Sequence, residues 1–110
     1  MKPLLKIEEI EKFIAESGFR LVYFASESCS VCKSMRQEVA THYQDQAEMD
    51  LRLVMIEDVP EARGHYQVFA APTIHVYFDG QRVYEAGRFL RLEKLDQMIE
   101  RIIEINKQDA

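Results

Sequence analysis

The residues of this chain with the most distinctive chemistry are its only two cysteines, set three positions apart in Cys29-Ser30-Val31-Cys32. Two thiols at this spacing can exchange with disulfides: one thiolate attacks a substrate disulfide, and the second thiol resolves the mixed disulfide that results. The same spacing also forms half of a zinc site, and two buried structural thiols are a third reading. A zinc site would have to draw on His42, His65 and His75, none of which has the paired spacing of a zinc ligand. Two cysteines are too few for a disulfide scaffold. In a reducing compartment a pair three apart points to redox chemistry or metal.

What separates these readings is the elements that hold the pair. Phe19 to Ala25 (Phe-Arg-Leu-Val-Tyr-Phe-Ala) is a short, mostly apolar run. It predicts a strand buried on both faces, hence central and parallel. The next helix is expected to start at or just before Cys29 and to run to about Gln46. Val31, Met35, Val39 and Tyr43 fall on one stripe, four apart, and Ser26 or Ser28 is placed to cap it. The first turn of a helix has unpaired N–H groups and the positive end of the macrodipole. A thiolate there is stabilised, and its pKa falls below the free value of about 8.5. Lys33 adds positive charge and Glu27 opposes it. Cys29, at the exposed helix start, is therefore the candidate nucleophile. Cys32, nearly one turn on and more buried, is the candidate resolver.

The remaining elements follow from periodicity. Ile7, Ile10, Phe13 and Ile14 lie at helical spacing over Ile7 to Ser17, and Gly18 suits the position past the helix end. Leu51 to Ile56 reads as a second apolar strand, and Pro60 to about Tyr66 as a short helix with proline in its first turn. Thr73 to Phe78 and Arg82 to Ala86 flank Asp79-Gly80, a strong hairpin signal. Leu92, Leu95, Met98, Ile99, Ile102 and Ile103 share one face of a last helix ending near Lys107. Leu4 to Ile7 adds a short edge strand. The expected α/β architecture is a four- or five-stranded mixed sheet with helices on both faces, built on a right-handed parallel crossover and a final antiparallel hairpin.

Composition bounds the function classes. The chain has 110 residues, 47% hydrophobic and 30% charged, which fits one globular domain over residues 1–110. The net charge of −5 comes from interspersed signs, and there is no basic stripe interleaved with aromatics, so nucleic acid is not an expected partner. No apolar run approaches the roughly 20 residues that span a bilayer. The N-terminal stretch Met1 to Glu9 is interrupted by charge and shows no signal peptide. The expectation is a soluble, cytoplasmic protein without a membrane role.

Ser26-Glu27-Ser28-Cys29-Ser30-Val31-Cys32-Lys33 resembles the active-site loop of the thioredoxin family, and Ala70-Ala71-Pro72-Thr73 resembles that family's cis-proline loop. The Asp79-Gly80 hairpin and Gly87 also fit, and the resemblance covers about Leu4 to Ile105. It implies the thioredoxin fold, with Ala71–Pro72 cis and packed against the cysteines, where Ala71 and Pro72 offer backbone groups to an extended substrate peptide. It also implies disulfide-containing protein substrates, a recharging NADPH-dependent flavoprotein reductase, and no bound cofactor.

The departures from the family pattern are specific. Ser30-Val31 stands in place of Gly-Pro, and Ser28 in place of the usual tryptophan. Tyr23 occupies the position of the buried aspartate, Leu53 that of its lysine partner, and Gln37 that of the helix proline. A phenol, with a pKa of about 10, is a poor base at neutral pH. Two functions follow: a thiol–disulfide oxidoreductase working through Cys29 and Cys32, or a thioredoxin-fold adaptor or redox sensor with little turnover.

Overall fold

A computed structural model of the chain describes residues 1–108. In chain order the elements are β1 (Lys2–Pro3), α1 (Ile7–Ala15), β2 (Phe19–Ala25), α2 (Cys32–Tyr43), β3 (Met49–Met55), α3 (Ala62–Tyr66), β4 (Thr73–Phe78), β5 (Gln81–Ala86) and α4 (Leu92–Gln108). One five-stranded sheet runs in the order β1-β3-β2-β4-β5. The central strand β2 is parallel to β3 on one side and antiparallel to β4 on the other. The expected parallel strand is therefore parallel along one edge only, because β4 enters as the first arm of the hairpin.

Alternation along β2 sets the two layers. Val22 and Phe24 join one core with Ile10, Phe13 and Ile14 of α1 and with Ala62 and Tyr66 of α3. Leu21, Tyr23 and Ala25 join the other with Val39 and Tyr43 of α2 and with Leu95 and Ile99 of α4. A strand whose successive side chains point to opposite faces, with apolar residues on both, has to be covered on both. Every residue of β2 except Arg20 is buried.

Five local expectations are corrected. The edge strand is Lys2–Pro3 and not Leu4 to Ile7; Leu4 adds one further bond to Leu53 O, and α1 already starts at Ile7. Proline is tolerated there because an edge strand has a side without ladder partners. Helix α2 starts at Cys32, three residues later than expected, because Ser26–Cys29 closes a turn of its own with the Cys29 N–H donating to Ser26 O at 3.1 Å. It ends at Tyr43, before Gln46, and α3 begins at Ala62, two residues after Pro60. No side chain caps α2.

The hairpin follows the sequence signal. Asp79 and Gly80 both take positive φ, 50° and 85°, the conformation a two-residue hairpin turn requires. The turn also docks: the Gly18 N–H donates to Asp79 Oδ1 at 2.8 Å, with Gly18 itself at φ 86° past the end of α1.

His75 of β4, expected to be partly buried, has no exposed surface at all. Its ring sits edge-on to Phe24. An Arg82 N–H lies 3.3 Å from Nε2, and the Tyr77 hydroxyl lies 3.4 Å from Nδ1. Nε2 thus accepts from a guanidinium, which assigns the ring as neutral. Burial first, and then the Arg82 charge, lower its pKa from 6.5 to about 4, against a smaller opposing pull from Glu85. Between those two pH values the unfolded chain binds one proton more than the native chain, so stability falls as the pH drops through that window. Wild type is therefore expected to lose on the order of 2 kcal/mol more than His75→Leu between pH 7 and pH 4.5. Urea unfolding at the two pH values reads the difference, and a pH-independent difference would contradict a neutral buried imidazole.

Candidate active site

The cysteines are brought together where β2 hands over to α2. Cys29 and Cys32 form a disulfide with their Cα atoms 5.5 Å apart. Cys32 is the first residue of α2 and only 4% exposed; Cys29 stands before the helix and is half-buried. The predicted order of exposure holds, although Cys29 is not itself helical. The first hydrogen bond of the helix, Met35 N–H to Val31 O at 3.1 Å, leaves the N–H groups at the start of α2 without partners one turn back. The bridge therefore lies at the positive end of the helix.

The loop before Cys29 is shaped by Ser26 and Ser28, whose side chains bond outside the helix instead of capping it. Ser26 Oγ donates to Glu57 Oε2 at 2.6 Å and lies 3.1 Å from Ser28 Oγ. The Glu27 N–H reaches the same carboxylate at 3.2 Å. Glu57 thus holds the loop from the segment after β3. The Ser26 hydroxyl, first among several donors, keeps its carboxyl below the usual range. No local pattern announces Glu57, because its partners lie about thirty residues away.

Tyr23 lies beneath the pair, as the family resemblance implies. It is fully buried, and its hydroxyl donates to the Cys32 carbonyl oxygen at 2.7 Å. Burial pushes its pKa up to about 12, against a weaker opposing pull from the Arg36 charge. With its proton committed to a carbonyl, this phenol serves as a tie between sheet and helix and not as a base. Leu53, its register partner on β3, is also buried and adds no charge.

Two concavities bear on the site, of which one is lined by the disulfide itself. One, of about 230 Å³, is lined by both cysteines together with Glu27, Lys33, Arg36 and Met55. The other, of about 390 Å³, follows the loop before β4 and is lined by Ala71, Pro72, Gly87 and two phenylalanines. The Ala71–Pro72 bond is cis. Ala71 packs against the same core cluster as both cysteines. The Pro72 carbonyl lies where a side chain on Gly87 would touch it, 3.5 Å from an added Cβ. Phe69 and Phe89 rim this groove at 77% and 86% exposure, far more than any other large apolar side chain among the described residues. Their exposure was not legible in the sequence.

The histidines weighed as zinc ligands go elsewhere. His42 Nε2 bonds Asp96 at 2.7 Å, His65 faces Glu11 at 3.6 Å, and His75 is enclosed in β4. Among the described residues, no group of three or more His, Cys, Asp or Glu is placed to hold a metal ion.

A mixed five-stranded sheet with helices on both faces, carrying a Cys-x-x-Cys disulfide at a strand-to-helix junction and a cis-proline loop whose Ala71 packs on the same core, defines a thioredoxin-fold thiol–disulfide oxidoreductase. The chain belongs to the thioredoxin family, whose sequence model it matches over residues 3–101. It is 26% identical over 102 residues to the thioredoxin-like protein YdfQ of Bacillus subtilis, covering 93% of this chain and 91% of that one. It is 30% identical over 89 residues to thioredoxin of Staphylococcus aureus, covering 78% and 84%. The crystal structure of Fasciola hepatica thioredoxin superposes with a TM-score of 0.79 at 25% identity, covering 92% of this chain and 98% of that one.

The Tyr23 tie is testable by stability. Tyr23→Phe keeps the ring and deletes the hydrogen bond, at a cost of about 1 kcal/mol, more if the Cys32 carbonyl is left unsatisfied. The melting temperature of the oxidised protein is expected to fall by about 4–8 °C. An unchanged melting temperature would show that the bond does not hold sheet and helix together.

Proposed function

We propose that this chain reduces disulfides in protein substrates by dithiol–disulfide exchange. Cys29 attacks the substrate, Cys32 resolves the mixed disulfide, and the loop at Ala71 and Pro72 receives the substrate as an extended peptide. The observation that carries this reading is the unequal exposure of two bonded cysteines at the positive end of α2. An attacking thiol must be reachable and stabilised as thiolate, whereas a resolving thiol must be close and shielded from other disulfides. The groove beside Pro72 supports a peptide-sized substrate, with Phe69 and Phe89 as exposed apolar surface along it.

In this role the 110 residues act as a single domain in the cytoplasm, where the pair is kept as a dithiol by an NADPH-dependent flavoprotein reductase. The protein itself binds no cofactor. No helix among the described residues is long and apolar enough to cross a membrane. The absence of a carboxylate at the position of Tyr23 favours one competing reading, an adaptor or redox sensor that forms the disulfide but turns over poorly.

Insulin reduction driven by dithiothreitol separates the two. Wild type is expected to shorten the lag before insulin precipitates, and Cys29→Ser to return it to the dithiothreitol background. A wild-type lag equal to that background would overturn the reductase reading in favour of the adaptor.

A further inference from the structure

Resolution requires a thiolate at Cys32, in a place where the sheet supplies no base. Apart from the tyrosines, the one fully enclosed polar side chain among the described residues is His75, which faces the opposite core, and no carboxylate is buried. We propose that Arg36 is the electrostatic partner of Cys32, its guanidinium stabilising the buried thiolate during resolution in place of an acid–base pair.

Three observations converge on Arg36. It stands four residues after Cys32 on α2, so the two share a face, and a helical side chain leans toward the turn N-terminal to its own Cα. It lines the 230 Å³ cavity that both cysteines line. Its charge is felt at the Tyr23 phenol, whose oxygen is 2.7 Å from the Cys32 carbonyl. Arg36 also forms no ion pair among the described residues, so its charge is not already spent on a carboxylate.

The other charged groups around the cavity are weaker candidates. Lys33 and Glu27 line it too, but both are exposed and oppose one another. Solvent screens such charges. Glu57 is turned to Ser26 and the Glu27 N–H. Tyr23 is committed to the Cys32 carbonyl. Arg36 is half-buried and shares its cavity with Ala25 and Met55, where a charge acts over a lower effective dielectric than in open solvent.

The step balances without a proton from Arg36, since a guanidinium does not deprotonate in proteins. In the mixed disulfide, Cys29 is bonded to a substrate sulfur and Cys32 is a thiol. Cys32 gives its proton to water, and its electron pair forms the bond to Cys29 Sγ. The bond from Cys29 to the substrate breaks, and its electron pair leaves on the substrate sulfur, which takes a proton from water. The protein dithiol is oxidised and the substrate disulfide reduced. The guanidinium lowers the energy of the thiolate state alone.

The proposal rests on the dithiol-exchange reading, but its first test does not need turnover. In reduced Cys29→Ser protein, the Cys32 thiolate is titrated by absorbance near 240 nm, with the doubly substituted Cys29→Ser, Cys32→Ser protein as blank. An opposite charge close to a titrating group moves its midpoint by about one pH unit or more. Adding Arg36→Gln is expected to raise the midpoint by about one pH unit, and Arg36→Lys to restore it. Glutamine and lysine are both good helix formers at this position. Equal midpoints with arginine, glutamine and lysine would overturn the proposal, whatever the insulin assay shows. A shifted midpoint in a protein inactive on insulin would support the proposal while removing the reductase reading.

Single-turnover mixing adds a signature that a purely structural role would not give. A thiolate fraction reduced about tenfold, offset by the higher nucleophilicity of a more basic thiolate, slows resolution about threefold at neutral pH in Arg36→Gln. Above both midpoints only the nucleophilicity remains, and the same variant is expected to resolve about threefold faster. A rate ratio that does not reverse with pH would contradict the electrostatic role.

Discussion

The hydrogen bond from Tyr23 to the Cys32 carbonyl joins the two parts of the molecule that have to agree. On one side is β2, a strand enclosed on both faces and therefore fixed in register by its packing as well as by its ladders. On the other is the first residue of α2, which carries the buried half of the disulfide. Because the strand cannot slip without turning Tyr23 away from the α2 and α4 layer, the position of Cys32 is inherited from the core. Cys29 is held in turn by its bond to Cys32 and by the turn from Ser26, which Glu57 anchors. The candidate site is loop-borne, but each of its supports leads back to the sheet.

The same tie changes the chemistry available. A phenol that donates to a carbonyl, with a pKa pushed up to about 12, takes no proton from a neighbouring thiol at neutral pH. Leu53 beside it leaves the floor of the site without charge. Charge reaches the pair from α2 itself, through the helix start and through Arg36 one turn along it. A floor of Tyr and Leu also carries less desolvation cost than a buried ion pair. The division of work is then plain: the sheet contributes rigidity and the helix contributes electrostatics.

Much of this was legible in the sequence, for identifiable reasons. The bounds of β2 and the faces of Leu21, Tyr23 and Ala25 follow from a short apolar run with period-two alternation. The hairpin follows from Asp79-Gly80, whose residue types suit positive φ. What the sequence concealed was decided by distant partners. Ser26 has the type of a helix cap, but a carboxylate from the segment after β3 outcompetes the helix for it. The turn this creates moves the start of α2 to Cys32. Phe69 and Phe89 carry no local mark of exposure, since only the assembled fold leaves them uncovered. Arg36 reads as an ordinary helix residue until the cavity beside Cys32 is formed.

The central claim is that one cysteine is built to attack and the other to resolve. The measurement that tests it most directly is the rate of alkylation of each cysteine in the reduced protein near neutral pH, read by peptide mass mapping after short exposure to iodoacetamide. Cys29, half-exposed at the positive end of α2, is expected to be labelled far faster than Cys32, which is 4% exposed. Equal rates, or faster labelling of Cys32, would contradict the account.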